Sequence, residues 1–494
     1  MKEYLKNAPG WLKLSVLGLV LMLPTLGLRP LWLPDEGRYA EVAREMIVTG
    51  DWITPHLNFS PHFTKPPLTY WLTAISLMVF GKNAFAARLT SALSLIGTAI
   101  ITYLLALELG KRKSAFAAAL ILLTSLMPFV AGNLVTTDML LTFWETLGIF
   151  MLWRWYNTRP KAKVYLYGAY AALGLAFLTK GPVGVLVPLM AFSGYCVYVK
   201  DWSILKQGFT RWSILIFSII AFPWFITIIL IHKGLLAYLL GNEVVGRAFT
   251  NIHHRNNTFL IYPVVLTLGF LPWVVFLPSA LKRAFTVHKI REHKVNPEDA
   301  FLLSWILLPF VFFSIVKSRL PLYVLDLFVP LAILTAAYLV PDDKTIPTRR
   351  GLSLKRAGIY RLSALMAVTL LCLNVYAAHF QTSQNIYPII KAIKEKADDR
   401  EYKIYSNRDY VYTINFYLDK KVERLTDVRA YLRDKEPCFL VLNMHTRTID
   451  PPAIIVKHSE LITRYFEYWV FYRPGTRASS IKRQATGKKL DVNL

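Results

Sequence analysis

Residues 12–29 read LKLSVLGLVLMLPTLGLR, and residues 31–52 read LWLPDEGRYAEVAREMIVTGDW. The first stretch stays apolar for about 18 residues, the length at which a helix can cross a bilayer core. The second places two carboxylates, Asp35 and Glu36, directly against the end of that span. Apolar runs recur near 89–107, 114–132, 139–153, 164–179, 182–199, 212–231, 259–280, 299–316, 320–340 and 360–379. A soluble α/β chain would interrupt such runs every few residues with turn chemistry. With 494 residues, 54% hydrophobic and 14% aromatic, the chain reads as an α-helical polytopic membrane protein of about eleven spans.

The formal charge of +26 does not mark a nucleic-acid binder, because the basic residues sit in short loops between apolar runs. Placing the N-terminus inside and alternating puts Lys111 to Lys113, Arg154 to Lys163, Lys200 to Arg211, Lys282 to Lys294 and Lys344 to Arg361 in inside loops. That is the asymmetry of the positive-inside rule. The run after Lys2 and Lys6 lacks a small-residue cleavage site and reads as a retained first span. The apolar segment 66–81 is left over, and parity lays it along the outer face. Cys196, Cys372 and Cys438 are scattered and form neither a disulfide framework nor a metal motif.

Two domains follow: residues 1–380 with the spans and interfacial helices within 34–84, and residues 381–494 as a small α/β domain on the periplasmic side. In the tail, 384–397 has helical periodicity, 403–407 and 438–443 read as buried strands, and 410–418 and 428–432 as helices.

The outside loops carry the unusual chemistry. Pro34 suits a helix start, and Asp35 is either a cap or a first-turn residue. From Glu36 to Ile47 the residues Tyr39, Val42, Ala43, Met46 and Ile47 form one stripe, with Arg38, Glu41, Arg44 and Glu45 facing elsewhere. Lys65 lies on the outside, against the general charge trend. It is either a snorkelling interfacial lysine or part of an anion site. Asp138, Lys180, Glu243, Arg247, His253, His254, Arg255, Lys317, Arg319 and Tyr323 fall in or beside the other outside loops. Ionisable groups at membrane depth are costly and point to function. Cations gathered against few carboxylates suit a polyanionic ligand. Adjacent histidines rarely share one ion, so His253 and His254 read as hydrogen-bonding groups rather than metal ligands.

Assembled in this order, LWLPDEGRYAEVAREMIVTGDWITPHL, the following KPPLTYW, FLTKG, the Arg247 loop, LPW at 271–273 and SRLPLY resemble the C-type, polyprenyl-phosphate-sugar-dependent glycosyltransferases. The pattern is most similar to the bacterial family that transfers 4-amino-4-deoxy-L-arabinose to lipid A, which is related to protein O-mannosyltransferases. The resemblance covers about the first 340 residues and implies a C-type glycosyltransferase fold. It implies that Asp35 is the catalytic carboxylate and Asp138 the second acidic residue of the outer cavity. Tyr39, Lys65, Lys180, Arg247 and Tyr323 would line the donor phosphate site, with Arg319 near it. Glu36, Arg38, His253 and His254 are assigned to substrate binding. Some relatives carry an acidic residue where this chain has Thr64, which weakens a metal site there. Aminoarabinose transferases also tend to have an extra pair of spans.

The implied reaction moves a sugar from undecaprenyl phosphate to lipid A, or to another lipid or protein acceptor, with inversion. Cations would stabilise the leaving phosphate in a site shielded from water. Asp35 would act as a general base toward a hydroxyl acceptor. Toward a phosphate acceptor it would position groups or stabilise the cationic sugar. No Gly-rich nucleotide loop is present, no cofactor is implied, and a divalent cation stays open. The sugar is open among aminoarabinose, galacturonate, mannose and other hexoses. Protein O-mannosyl transfer is the nearest alternative. An anionic-lipid transporter or flippase should show inverted repeats, which this chain lacks. A bare membrane anchor would not gather such charges. The expected setting is the bacterial inner membrane, with the chain acting as a monomer among membrane lipids.

Overall fold

The computed structural model describes residues 9–159, 162–246, 258, 260–286, 296–341, 356–398, 400–407, 412–444 and 451–475. They form two compact units, Met1–Leu28 with Phe63–Ala377, and Arg29–His62 with Ala378–Leu494.

The first unit is helical. Among the described residues five helices are long and apolar enough to cross a membrane, and two bent pairs raise the number to seven. These are Ala84–Glu108, Arg211–Ile231, Pro297–Ile315, Pro321–Leu339 and Arg356–His379, with Ala115–Leu123 + Leu126–Gly132 and Ile261–Gly269 + Trp273–Phe285 as the pairs. The protein is thus a multi-span membrane protein. Only 17% of the apolar window of Arg211–Ile231 and 11% of that of Arg356–His379 is buried, so both expose apolar flanks suited to lipid.

Each expected span coincides with helical structure, but two are not straight. Residues 114–132 bend by 64° at the break after Leu123. There Thr124 and Ser125 turn their hydroxyls back onto the Leu120 and Ile121 carbonyls at 2.6 Å each, a bonding pattern that bends helices. Within the expected run 259–280, Ile261–Gly269 and Trp273–Phe285 meet at 106° across Phe270 to Pro272, where proline supplies no backbone donor to carry the helix on. The run expected at 139–153 is a longer helix, Asp138–Thr158. The leftover segment forms Leu68–Phe80, whose length of about 20 Å falls short of a hydrocarbon core of about 30 Å.

Large apolar side chains interlock at the centre of this unit. Trp153 stacks on Phe301 at 4.4 Å between ring centroids, and the buried Trp273 donates its indole N–H to Thr124 at 3.1 Å. Polar side chains tie separate helices, as when the Asn374 amide donates to Thr25 Oγ1 at 2.8 Å and Asn133 Oδ1 at 3.0 Å. Lys111 pairs with Asp299 at 2.6 Å. Without a hydrophobic force between helices in lipid, such bonds and close packing carry association.

The second unit contains strands β1 (His56–Leu57), β2 (Ser60–Pro61), β3 (Lys403–Ser406), β4 (Val422–Arg424), β5 (Cys438–Asn443), β6 (Glu460–Tyr465) and β7 (Tyr468–Arg473). The larger sheet runs β4-β3-β5-β7-β6. β3 pairs parallel with β4 and β5, while β7 is antiparallel to β5 and β6. Phe439 and Val441 of β5 face one apolar cluster with Ile390 and Ile393, and Leu440 and Leu442 face another with Tyr431 and Phe471. A strand covered on both faces reads as an unbroken apolar run, which CFLVLN is.

The sequence expectation kept residues 29–62 with the spans, whereas the structure groups them with the tail. Leu33 N–H donates to the Gln384 carbonyl at 2.9 Å, and Leu31 N–H to the Tyr417 hydroxyl at 3.1 Å. The Asn58 side chain substitutes for a strand. It donates to the Val422 carbonyl at 2.9 Å and accepts from Val422 N–H at 3.2 Å and the Asn415 amide at 2.9 Å.

Candidate functional site

The membrane unit encloses a cavity of ≈ 300 Å³. Phe63, Leu186, Trp224, Phe225, Phe312, Phe313 and Leu322 are among its apolar wall, and Thr64, Lys65, Asp138, Thr142, Lys180, Ser318, Tyr323 and Asp326 are its polar residues. An apolar chamber with a few convergent polar groups is the usual form of a ligand site.

Local chain geometry places these groups. Lys180 is the last residue of the helix Lys163–Lys180, which stops at Gly181 with φ +78°, a conformation that favours glycine. Asp138 is the first residue of Asp138–Thr158. A cation at a helix C-terminus and an anion at an N-terminus each suit the local dipole, and the two side chains form an ion pair. Lys180 Nζ also lies 4.8 Å from the Tyr323 ring centroid. Thr142 and Glu145 continue the Asp138 face one and two turns along the helix. Thr142 Oγ1 donates to Asp326 Oδ1 at 2.6 Å.

The structure therefore brings Lys65, Asp138, Lys180 and Tyr323 into one cavity. Arg319 donates Nε to the Ser314 carbonyl at 3.1 Å and lies outside the cavity's described lining. Arg247, His253 and His254 lie outside the described residues. The residue reading missed Thr142, Ser318, Asp326, and the aromatic wall of Trp224 and Phe225. An acidic residue inside the apolar run VLDLFVP was the available signal for Asp326.

In the second unit, Asp35 opens the helix Asp35–Thr49, and no side chain caps that helix. The capping explanation of Asp35 is thereby removed. Its side chain is 53% exposed and pairs with Arg38 one turn on. Arg38 also lies 5.4 Å from the ring centroid of Tyr39, which is buried. Glu36 points inward, pairing with Arg29 at 2.6 Å and accepting the Trp32 N–H at 3.0 Å.

The charged face of this helix is buried too, contrary to the stripe read from the sequence. Arg44 grips Glu41 through two bonds of 2.7 and 2.8 Å and reaches Asp419 at 3.4 Å. Glu45 accepts the Phe59 N–H at 2.8 Å. Burial pushes the Glu41 carboxyl up to about 8, against the pull of Arg44. Gly37 allows the close approach of Tyr412–Leu418, since a Cβ there would stand 1.9 Å from Thr413 Oγ1. Among the described residues no three His, Cys, Asp or Glu side chains come together as a metal site.

Residues 12–233 match the family model of dolichyl-phosphate-mannose-protein mannosyltransferases. The chain superposes on ArnT from Cupriavidus metallidurans bound to undecaprenyl phosphate with a TM-score of 0.76 and 22% identity, covering 94% of this chain and 98% of that one. An Archaeoglobus fulgidus oligosaccharyltransferase gives 0.53 and 14%, covering 86% and 65%. The fold is that of the C-type membrane glycosyltransferases. The undecaprenyl phosphate-alpha-4-amino-4-deoxy-L-arabinose arabinosyl transferase of Pectobacterium atrosepticum is 33% identical over 385 residues, 76% of this chain and 67% of the relative. The arabinosyl transferase 2 of Proteus mirabilis is 33% identical over 333 residues, 67% of this chain and 59% of the relative. This chain belongs to the family of undecaprenyl phosphate-aminoarabinose arabinosyl transferases. It spans under two thirds of the length of several of these curated relatives, as with 57% of the one from Aeromonas hydrophila.

Proposed function

We propose that the chain transfers 4-amino-4-deoxy-L-arabinose from undecaprenyl phosphate to lipid A, with inversion, at the periplasmic face of the bacterial inner membrane. The observation that carries this reading is the cavity itself, an apolar chamber in a membrane protein with Lys65 and Lys180 among its few polar groups. A polyprenyl phosphate has the matching halves, an apolar chain and a compact anion. As the glycosidic bond breaks, negative charge grows on the leaving phosphate and positive character on the sugar. Fixed lysine ammonium groups in a site poor in water stabilise the former without reorganising. Tyr323 beside Lys180 supports its orientation, and Arg319 adds positive field. Asp35 is the proposed catalytic carboxylate, because it is exposed and its ion-pair partner, Arg38, lies on its own helix. Toward a hydroxyl it takes the proton, and toward a lipid A phosphate it stabilises the cationic sugar.

The periplasmic placement of the tail is supported by the basic inside loops. Mass spectrometry of lipid A from cells with and without the chain tests the function. An added aminopentose that depends on the chain is expected, and lipid A unchanged by the chain in cells that make the donor would end the reading. A tag after residue 480 should be cleaved by external protease in spheroplasts; protection would reverse the orientation.

A further inference from the structure

The polar end of the cavity holds more acid than an anion site needs. Lys65 and Lys180 line it, but so do Asp138 and Asp326, and Asp138 is already paired with Lys180. Behind Asp326 stands Glu145, fully buried, with neither oxygen accepting a bond from an N–H or hydroxyl donor among the described residues. It stands within electrostatic reach of the Asp326 carboxyl. The lining thus sets two lysines, Lys65 and Lys180, against two aspartates, Asp138 and Asp326. Thr142 donates to the same Asp326 from one turn before Glu145 and fixes the carboxyl's direction.

The formal charges of this polar end therefore balance before any ligand enters. A sugar phosphate with a neutral sugar would bring one uncompensated negative charge and leave the Asp326 charge unanswered. A buried charge without a partner is strongly disfavoured. A zwitterion, with one phosphodiester and one ammonium, answers both. A second, independent sign points to a ligand at this wall. The Ser318 hydroxyl, on a residue 4% exposed that lines the same cavity, has no hydrogen-bond partner among the described residues. Buried polar groups are nearly always satisfied, so an idle one beside a cavity suits a ligand's donor or acceptor.

We propose that Asp326, oriented by Thr142 and backed by Glu145, determines sugar specificity by binding the ammonium of a cationic sugar on the donor. This rests on the reading of the cavity as a polyprenyl phosphate-sugar site. Lys65 and Lys180 then serve the phosphate, and Asp326 selects what the phosphate carries.

The test uses the full chain in lipid nanodiscs with lipid A and two donors that differ only at nitrogen, undecaprenyl phosphate-aminoarabinose and its neutral N-formyl counterpart. The parent chain should favour the amino donor. Asp326→Asn should lower kcat/KM for that donor about 10- to 100-fold, the scale of one charge-assisted hydrogen bond. Transfer from the N-formyl donor should not fall, since that donor leaves the Asp326 charge unanswered in the parent, and competition by sugarless undecaprenyl phosphate should not weaken. Thr142→Val, which removes the hydroxyl that orients Asp326 while keeping the side chain's outline, should narrow the selectivity in the same direction, and it decides the matter should Asp326→Asn not insert stably. Equal losses for both donors, or weaker competition by the sugarless lipid, would make Asp326 a structural tether and overturn the assignment while the functional reading stands. Transfer of neither sugar by the parent chain would end both.

Discussion

Asp35 and Asp138 each stand in the first turn of a helix, and each has a cation within ion-pair reach. Asp35 takes its partner from the next turn of its own helix and keeps 53% of its side chain exposed. Asp138 takes Lys180 from a different helix, and the two side chains are only 13% and 8% exposed. An exposed pair is worth little and can be released at low cost. A buried pair loses strongly when one partner is removed, because the other is left charged and dry. The difference separates a carboxylate available for chemistry from one committed to holding a lysine in place.

The largest expected effect falls on the available carboxylate. Asp35→Asn should lower transfer by about 10²- to 10⁴-fold, the range for a lost general base, while the melting temperature holds. A melting temperature that falls together with activity would break the contrast. Lys180→Ala should instead destabilise the protein by about 3–5 kcal/mol, the cost of one unpaired buried charge. Adding Asp138→Ala should restore part of that stability, as a thermal melt in detergent would show. If the two losses simply add, the pair is not coupled.

Gly37 gives a third test, because Asp35 is useful only if its helix is held. Gly37→Ala should cost about 1–3 kcal/mol by overpacking against Thr413, with only part of the loss relieved by Thr413→Ala, because Thr413 Cα and Cβ would still stand 2.9 Å from the added methyl. A neutral Gly37→Ala would show that the Tyr412–Leu418 helix does not fix this segment.

A third aspartate, Asp434, extends the series to the tail. Burial alone would raise its carboxyl, but hydrogen bonds from Tyr405, the Glu436 N–H and Lys403 together lower it to about 2. A carboxyl lowered by folding stabilises above its ordinary range and loses that contribution as pH falls through the folded value. Tail stability should therefore decline between about pH 4 and pH 2, by about 2 kcal/mol. Asp434→Asn should flatten that decline. Trp469 fluorescence against denaturant at several pH values would measure it, and an unchanged pH profile in the variant would remove Asp434 from the account.

What was legible in the chain follows from the range of each interaction. Apolar runs mark helices locally, so the helical segments were readable, and so was Lys65 of the cavity from its position beside one of them. The pairing of Lys180 with Asp138 spans 42 positions, and nothing in either segment announces it. The buried charges of the Asp35 helix were misread because periodicity sorts apolar from polar and cannot foresee a polar partner such as Asp419. The β6–β7 hairpin turns at Phe466 with φ +50°, where Asn or Gly would have been the warning. Asp326 was overlooked inside an apolar run in which its charge was the informative residue.

The cavity wall formed by Trp224 and Phe225 belongs to the helix Arg211–Ile231, whose outer side carries the exposed Phe222, Ile226 and Leu230. On that flank one helix, with side chains on both of its sides, stands between the chamber and the surrounding acyl chains. A ligand with a long greasy tail would then arrive sideways past that helix, leaving its hydrocarbon in the bilayer while its head group enters. Rates of turnover would then follow bilayer fluidity and thickness more closely than the concentration of anything dissolved in water.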